Sequence, residues 1–327
     1  MTPESQPFAT VAICTYNRSR WLQGTLRFVI AQEYPADRWE ILVIDNNSTD
    51  DTARVVEEFA GAAKAPRYVL EKTQGLSHAR NRALAEALGS VVVFLDDDTD
   101  GDSAWLARLM SPYAMPGNEK VGIVGGEIIP GFPDGLPRWL EGQWEPLSYL
   151  SKTGPLPDNL LPMGANFSAR RAAAQGVGGF RTDLGRTGDT LAGSEDHDFI
   201  RRVRSAGYSV WYVPEAVITH LIPKNRLTFR YAMKHAFDSS RSRVIERVAR
   251  PGKGGAWLAS RMIVYSLHVA LTLLLSLLCF IFFQPGCGKR WLTRCSRSAG
   301  YLVEACAIIG RKLASLLFGI FMILSWQ

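Results

Sequence analysis

The sequence predicts an α/β fold, a mostly parallel sheet wrapped by helices, followed by an apolar C-terminal region. Three observations carry this. Strand-like and helix-like segments alternate from about Phe8 to Thr99, as a parallel sheet with crossover helices requires. Val91–Leu95 is a continuous apolar run, the pattern of a strand covered on both faces. The strand-like runs also end in polar clusters, and in such sheets ligands sit beyond the carboxyl ends of the strands.

The elements follow in order. Phe8–Cys14 is a β-branched strand, and Trp21, Leu22, Leu26, Val29 and Ile30 then recur at helical spacing. Trp39–Ile44 is a second strand, ended by the turn-forming Asp45-Asn46-Asn47-Ser48, with a helix through about Ala60. Arg67–Leu70 reads as a short strand and Gly75–Leu88 as a helix stopped by Gly89 at its C-cap. Beyond Val91–Leu95, strands are expected at Val121–Ile129 and Asn166–Ala169, separated by a Pro/Gly/Trp-rich loop from Pro130 to about Leu161. Ser194 opens a helix ending at Gly207, and Tyr208–Val213 and Ala216–His220 are strand-like. This organisation places a catalytic-type domain at 1–225 (nucleotide-binding half 1–100, acceptor half 101–225). A basic connector at 226–261 and membrane-associated hydrophobic segments at 262–327 follow.

The 327 residues carry a net charge of +6, with 47% hydrophobic and 21% charged residues. The positive charge is not gathered into one aromatic-studded face, so a nucleic-acid partner is not expected. Cys14, Cys279, Cys287, Cys295 and Cys306 form no C-x-x-C pair, which argues for reduced thiols rather than zinc. The N-terminus lacks a basic region followed by an apolar one, so the catalytic part is expected in the cytoplasm. Met262 to Phe283 carries no formal charge. At ~1.5 Å per residue it makes a helix of roughly 33 Å, long enough to span a bilayer. Leu313–Trp326 is shorter and fits an interfacial or re-entrant segment. Basic residues flank the long run on both sides. The positive-inside rule therefore selects no single crossing, and a cytosolic hairpin dipping into the cell membrane also satisfies the pattern.

The chemistry gathers at the predicted strand ends. Thr15-Tyr16-Asn17-Arg18 follows the first strand, Asp45 the second, and Asp96-Asp97-Asp98 the fourth. Three adjacent carboxylates repel unless cations balance them. Mg2+ or Mn2+, held by one or two carboxylates together with substrate phosphate oxygens, resolves this. A solvated acidic turn capping a helix near Ser103 is the plain alternative. A second cluster, Gly193-Ser194-Glu195-Asp196-His197-Asp198, holds more acid than a helix start needs.

Four ordered motifs carry a resemblance: Thr15-Tyr16-Asn17-Arg18, the Asp45–Asp50 turn, Gly75-Leu76-Ser77-His78-Ala79-Arg80-Asn81, and the acidic triplet. Over roughly residues 8–225 the chain resembles family 2 glycosyltransferases of the GT-A fold, a Rossmann-like nucleotide-diphospho-sugar transferase domain. The resemblance implies inverting transfer of a sugar from a nucleoside-diphosphate donor, with UDP as the family's habit, onto an acceptor hydroxyl; the apolar tail beside a site for a soluble donor points to a glycan or lipid-linked acceptor of the cell envelope. The resemblance places Thr15, Tyr16, Asn17, Arg18, Asp45, Asn47, Arg80, Asp96 and Asp97 on the donor side, with Arg80 either pairing with the diphosphate or standing on a solvated helix face. It also implies Asp98 as principal metal ligand, helped by Asp97 and His220. Asn17 and Asn47 are equally explained as turn residues, since Asn tolerates left-handed backbone. The family's Glu-Asp pair is matched by Glu195 and Asp196, with Asp196 expected as general base. Gly164 and Asn166 match the pattern ahead of that pair and are assigned to the acceptor side, as is Trp139, whose ring suits stacking on a sugar and is equally explained by plain packing. The Gln-x-x-Arg-Trp motif of processive synthases is missing after the base, which favours single addition. Two rivals remain at this stage: a catalytically inactive membrane scaffold of the same fold, and an aspartyl-phosphate phosphotransferase, for which Asp100 stands where a hydroxyl residue belongs.

Overall fold

The computed structural model describes residues 6–142, 144–188 and 190–324, with side chains through Arg311. Strands β1 (Ala9–Thr15), β2 (Trp39–Asp45), β3 (Arg67–Leu70) and β4 (Val91–Asp96) alternate with helices α1 (Ser19–Ile30), α2 (Thr52–Glu57) and α3 (Leu76–Glu86). They form a parallel block in the order β3-β2-β1-β4. A short β5 (Thr99–Gly101) and α4 (Trp105–Met110) lead into β6 (Val121–Gly131). The two-residue β7 (Gly154–Pro155), β8 (Asn166–Arg170), α5 (Arg171–Gly176), α6 (Glu195–Ser205) and β9 (Ser209–Leu221) complete this first unit. The sheet continues from β4 through β8, β6 and β9 to β5, with β8 antiparallel to both β4 and β6.

Alternate residues of each central strand serve opposite faces, as the pleat requires. Val11 and Ile13 of β1, Val43 of β2 and Val93 of β4 pack with Leu22, Leu26 and Val29 of α1 and Leu106 and Leu109 of α4. Ala12, Leu42, Ile44, Val92 and Phe94 pack on the other side with Ala79 and Ala83 of α3 and Phe199 and Val203 of α6. Both faces are covered, which is why the strands are apolar throughout. Truncating a ring such as Phe94 to alanine would cost ~3–5 kcal/mol.

Two local expectations change. Helix α3 stops at Glu86, where Ala87 turns extended at φ −60° and ψ 130°. Gly89 is no C-cap. A Cβ there would lie 2.6 Å from the Thr10 nitrogen and 2.7 Å from the Phe8 carbonyl oxygen, so glycine lets the chain pass against the start of β1. The two strand-like pieces after α6 form one strand, β9. Pro214 lies opposite a slip in its pairing with β6 between Gly126 and Ile128, where a residue with no N–H is tolerated.

A second compact unit combines 136–141 and 190–194 with the residues from 225 onward. Its helices are α7 (Phe229–Val248), α8 (Gly255–Ile281) and α9 (Pro285–Leu324). The stretch 226–261, expected as a connector, therefore contains a 20-residue helix. Thr228 caps it by accepting from the Tyr231 N–H at 3.2 Å. Its basic residues are partly structural, since Arg241 donates twice to Glu304 of α9, at 3.0 and 2.9 Å. At Gly300 a Cβ would meet the Phe237 carbonyl oxygen at 2.3 Å, so glycine permits the close approach of α7 and α9. The apolar stretch Leu313–Trp326 continues α9 without a break through Leu324, and Trp326 lies outside the described residues. Helix α8 is long and apolar enough to cross a membrane by length and composition.

Candidate active site

The parallel register sets Thr15 opposite Asp45 and Cys14 opposite Asp96, so the polar ends of β1, β2 and β4 share one rim. The loop after β1 is tied to the turn after β2 by local hydrogen bonds. The Asn17 N–H donates to Ser48 Oγ at 2.9 Å, and the Thr49 N–H donates to Asn17 Oδ1 at 2.7 Å. Asn17 and Asn47 sit at φ 52° and 65°, left-handed conformations that asparagine accommodates. Asn17 is thus committed to turn chemistry, whereas Asn47 is exposed on the rim. Tyr16 also stands exposed there. Asn46 ties the turn to the approach to α3: its Nδ2 donates to the Thr73 carbonyl and its Oδ1 accepts from the Gly75 N–H, both at 2.7 Å.

Asp45 is buried. One carboxylate oxygen accepts from the Ser48 N–H at 2.8 Å and the other from the Tyr68 hydroxyl at 2.7 Å. Sequence reasoning missed Tyr68. Its place beside Asp45 depends on the β2–β3 register, and no local motif announces it.

The acidic triplet divides its work. Asp97 accepts from the Thr15 hydroxyl at 2.7 Å and pairs with Arg18 at 3.2 Å. Asp98, 1% exposed, pairs with Arg18 at 2.5 Å and lies 3.0 Å from His220 Nε2. The β5–β9 ladder sets His220 opposite Thr99 and so delivers the imidazole to the triplet. Asp96, Asp98 and His220 each offer a ligand atom within 4.8 Å of the others. Asp96 therefore takes the place in this cluster expected for Asp97, because the Asp97 carboxylate is held by Thr15 and Arg18. Burial, reinforced by Asp98 and against the pull of Arg18, pushes the Asp97 carboxyl above its usual range. Burial opposes the charge on Arg18, yet Asp97 and Asp98 outweigh it and hold the guanidinium protonated. Two carboxylates and an imidazole around an acid-rich pocket are a donor set suited to a divalent cation.

Arg80 links this cluster to α6. It is 3% exposed and surrounded by the rings of Phe94, Phe167 and Phe180 at 5.4–6.0 Å. It donates to Glu195 at 2.9 Å and to the Gly164 carbonyl at 3.0 Å, and lies 3.8 Å from Asp96. Its guanidinium is thus committed to protein groups rather than presented to a diphosphate, a correction to the sequence expectation. The cause is burial: a charge enclosed by three aromatic rings requires built-in anions.

Glu195 and Asp196 open α6 after Ser194, which sits at φ 72°, not the extended conformation usual for an N-cap. The Glu195 oxygen that Arg80 does not hold is buried without a hydrogen-bond partner. Burial pushes the Glu195 carboxyl up to about 7, and the neighbouring Asp196 charge adds to this against Arg80. Asp196 accepts from the Gly164 N–H at 2.8 Å and from the His197 N–H at 2.7 Å. A Cβ on Gly164 would lie 2.7 Å from the Asp196 oxygen, so the glycine is what lets the backbone reach the carboxylate.

Asn166, expected on the acceptor side, is instead an internal brace. It is fully buried, donates to the Glu127 and Ala216 carbonyls at 2.9 and 2.8 Å, and accepts from the Trp105 indole at 3.0 Å. Trp139 belongs to the helical unit, packed edge-on against Phe229 with centroids 5.9 Å apart.

Comparison with known proteins assigns the class. Residues 10–177 match the model of glycosyl transferase family 2, about half of the sequence, and the chain belongs to that family. It is 27% identical over 215 residues to glycosyltransferase AglE of Haloferax volcanii, covering 65% of this chain and 67% of that one. It is 24% identical over 265 residues to the glucosyl-dolichyl phosphate glucuronosyltransferase of the same organism, covering 78% and 83%. In structure it resembles the mannosyltransferase PcManGT of Pyrobaculum calidifontis, solved in complex with GDP-Man and Mn2+, with a TM-score of 0.57 at 19% identity over 99% of this chain and 82% of that one. The first unit thus has the GT-A fold, and the family makes the protein a glycosyltransferase.

Proposed function

We propose that the protein is an inverting, divalent-metal-dependent glycosyltransferase that moves a sugar from a nucleoside diphosphate, UDP foremost, onto a hydroxyl of a lipid-linked or cell-envelope glycan at the cytoplasmic face of the cell membrane. The observation that carries this reading is the convergence of Asp96, Asp98 and His220 within 4.8 Å on the rim that Arg80 connects to Glu195 and Asp196. The catalytic part comprises 1–225 and the membrane-associated part 262–327.

In this reading Thr15, Tyr16, Asp45 and Asn47 form the nucleoside side. Asp96, Asp98 and His220 would hold Mg2+ or Mn2+, with Asp97 near the ribose. The ion, when bound, neutralises charge on the departing diphosphate. Asp196 accepts the proton of the acceptor hydroxyl as its oxygen bonds the anomeric carbon and the bond to the donor phosphate breaks on the opposite face. Its two backbone hydrogen bonds fix the carboxylate's direction, which a general base requires. Gly164 shapes the acceptor side. The dolichyl phosphate in the name of one relative supports a lipid-linked acceptor. A specific observation favours a second base, Glu195, whose buried oxygen lacks a partner and whose pKa is near neutrality.

The test is calorimetric titration of the full chain in detergent with UDP, GDP and dTDP, with and without Mn2+, alongside Asp98→Ala. Metal-dependent binding of one nucleotide, lost in the variant, is expected. A folded protein that binds none of them overturns the reading.

A further inference from the structure

We propose that α8 and α9 form a hairpin that lies in the plane of an anionic bilayer surface and docks the protein on one leaflet without crossing it. The proposal rests on the membrane association proposed above and specifies its geometry.

Among the described residues, helix α8 is the one with the attributes of a span. Its most apolar window has a mean hydropathy of 2.2, and 11% of that window is buried. Ile263, Leu267, Leu271, Leu274 and Leu277 leave an apolar stripe 51–68% exposed, extended by Phe283 at the turn. A contiguous apolar surface of this kind marks an interaction site.

What opposes a crossing is the helix packed along it. Tyr265 stacks on Tyr301 at 3.9 Å, His268 Nδ1 meets Ser298 Oγ at 2.6 Å, Ser276 donates to the Gly288 carbonyl at 3.0 Å, and the Cys279 and Cys287 sulfurs lie 2.7 Å apart. These contacts fix an antiparallel register to within two residues. Interpolated between them, Arg294 lies level with Thr272, the centre of the apolar run. Arg297 lies level with Val269, and Lys289 and Arg290 lie within two residues of the level of Leu277 and Ser276. Residues 289–303 contain no carboxylate, and Glu304 is engaged by Arg241 and Arg311. An upright α8 would therefore draw four cations into the hydrocarbon, with Arg294 at mid-depth. A charge at that depth disfavours insertion by roughly a hundredfold.

Laid flat, the same pair fits an interface. The α8 stripe enters the acyl boundary, while the α9 cations remain at headgroup level, where anionic lipid attracts them. Arg294 and Arg297 are exposed, and Arg294 lies 4.4 Å over the Trp291 ring, an aromatic suited to that depth. Basic residues on both flanks of the apolar run then meet one surface, which is why charge counting selects no crossing direction.

The test uses the full chain bound to sealed vesicles of phosphatidylcholine with about 30% phosphatidylglycerol, a fraction giving a strongly anionic surface. In a background with the native cysteines changed to serine, Gln284→Cys reports the α8–α9 turn. Asp158→Cys reports the catalytic unit, since the Asp158 side chain is 98% exposed. A membrane-impermeant maleimide should label both to a similar extent before lysis. If Gln284→Cys reacts only after detergent lysis while Asp158→Cys reacts before it, the turn is in the lumen and the in-plane geometry is overturned, with membrane association intact. If the wild-type chain fails to float with the vesicles, membrane association itself is overturned. With native cysteines retained, Lys289→Gln, Arg290→Gln, Arg294→Gln and Arg297→Gln together should weaken flotation more than tenfold on anionic vesicles and little on pure phosphatidylcholine. Unchanged flotation on anionic vesicles overturns the lipid-charge part.

Discussion

Buried carboxylates occur in both units, and the two units treat them in opposite ways. In the helical unit Glu304, 2% exposed, accepts from Arg241 at 3.0 and 2.9 Å and from Arg311 at 2.8 Å. Glu246 is held by Arg250 at 2.6 Å. In the catalytic unit the buried Asp97, Asp98, Glu195 and Asp196, with the partly exposed Asp96, gather around two guanidiniums, Arg18 and Arg80, and one imidazole. There burial pushes Asp97 and Glu195 above the usual carboxylate range. A satisfied buried acid stabilises the fold. An excess of buried negative charge strains it, and a site keeps such an excess when a positive or proton-bearing ligand is to be bound there.

The largest effect expected from this contrast is on the base. With Asp196 as the proposed base, Asp196→Asn should lower kcat by ~10²–10⁴-fold while leaving donor KM nearly unchanged, because the variant would lack the proton acceptor used in the transition state. The pH profile then discriminates Asp196 from Glu195. A carboxyl raised to about 7 is ionised above that pH and protonated below it. If Glu195 is the base, kcat should fall about tenfold for each pH unit below about 7, and Glu195→Gln should abolish that limb. With Asp196 as base, Glu195→Gln should retain turnover and Asp196→Asn should not.

The second effect is on the Asp96, Asp98 and His220 cluster. Asp98→Ala should cost ~10²–10³-fold in kcat, the scale for losing one preorganised electrostatic contact to a leaving group. It should also abolish Mn2+-dependent nucleotide binding in calorimetry. If Asp98→Ala keeps metal-dependent binding while Asp97→Ala loses it, the division of roles within the triplet is reversed.

A smaller change follows from backbone geometry. Gly164→Ala would place a methyl group 2.7 Å from the Asp196 oxygen, forcing carboxylate or loop to move. Rotating a positioned base by such an amount should reduce kcat about tenfold, within the range assigned to sub-ångström misplacement. Steady-state kinetics beside a thermal melt distinguish this from simple unfolding.

Much of the catalytic unit was legible because its signals are local. A continuous apolar strand followed by three aspartates states both a covered sheet and a polar rim, and the order of β1 to β4 follows from alternation. The roles of Gly164, Asn166 and Arg80 were not legible as they stand. Each is set by residues far away in sequence: Gly164 by Asp196, Asn166 by Trp105 and Ala216, and Arg80 by Glu195 and three phenylalanine rings. The exchange between Asp96 and Asp97 was hidden for a different reason. Which of two adjacent acids turns toward His220 depends on where β4 ends and where Arg18 reaches, and neither is a property of the triplet. Helix α7 was concealed by its own arginines, which read as a solvated connector until Glu304 supplied a partner.

The smallest expected effects return to the two kinds of acid and concern stability rather than rate. Glu304→Gln removes charge-assisted hydrogen bonds from two arginines, and such bonds contribute ~1.5–3 kcal/mol each where they are enclosed. Arg241 and Arg311 are 45% and 65% exposed, and water can replace part of what they lose. The net cost should therefore be near ~1–2 kcal/mol, read as a lower melting temperature with glycosyl transfer at assay temperature preserved. Asp98→Asn should behave in the opposite sense in metal-free buffer. It relieves repulsion with Asp96 and Asp97 while keeping an acceptor oxygen for Arg18, so its melting temperature should equal or exceed the wild-type value even though activity is lost. Saturating Mn2+ should then raise the wild-type melting temperature and leave the variant's unchanged, because an ion stabilises only the fold that binds it. If Asp98→Asn melts well below wild type without metal, the triplet is part of the structural framework and the contrast between the two units fails.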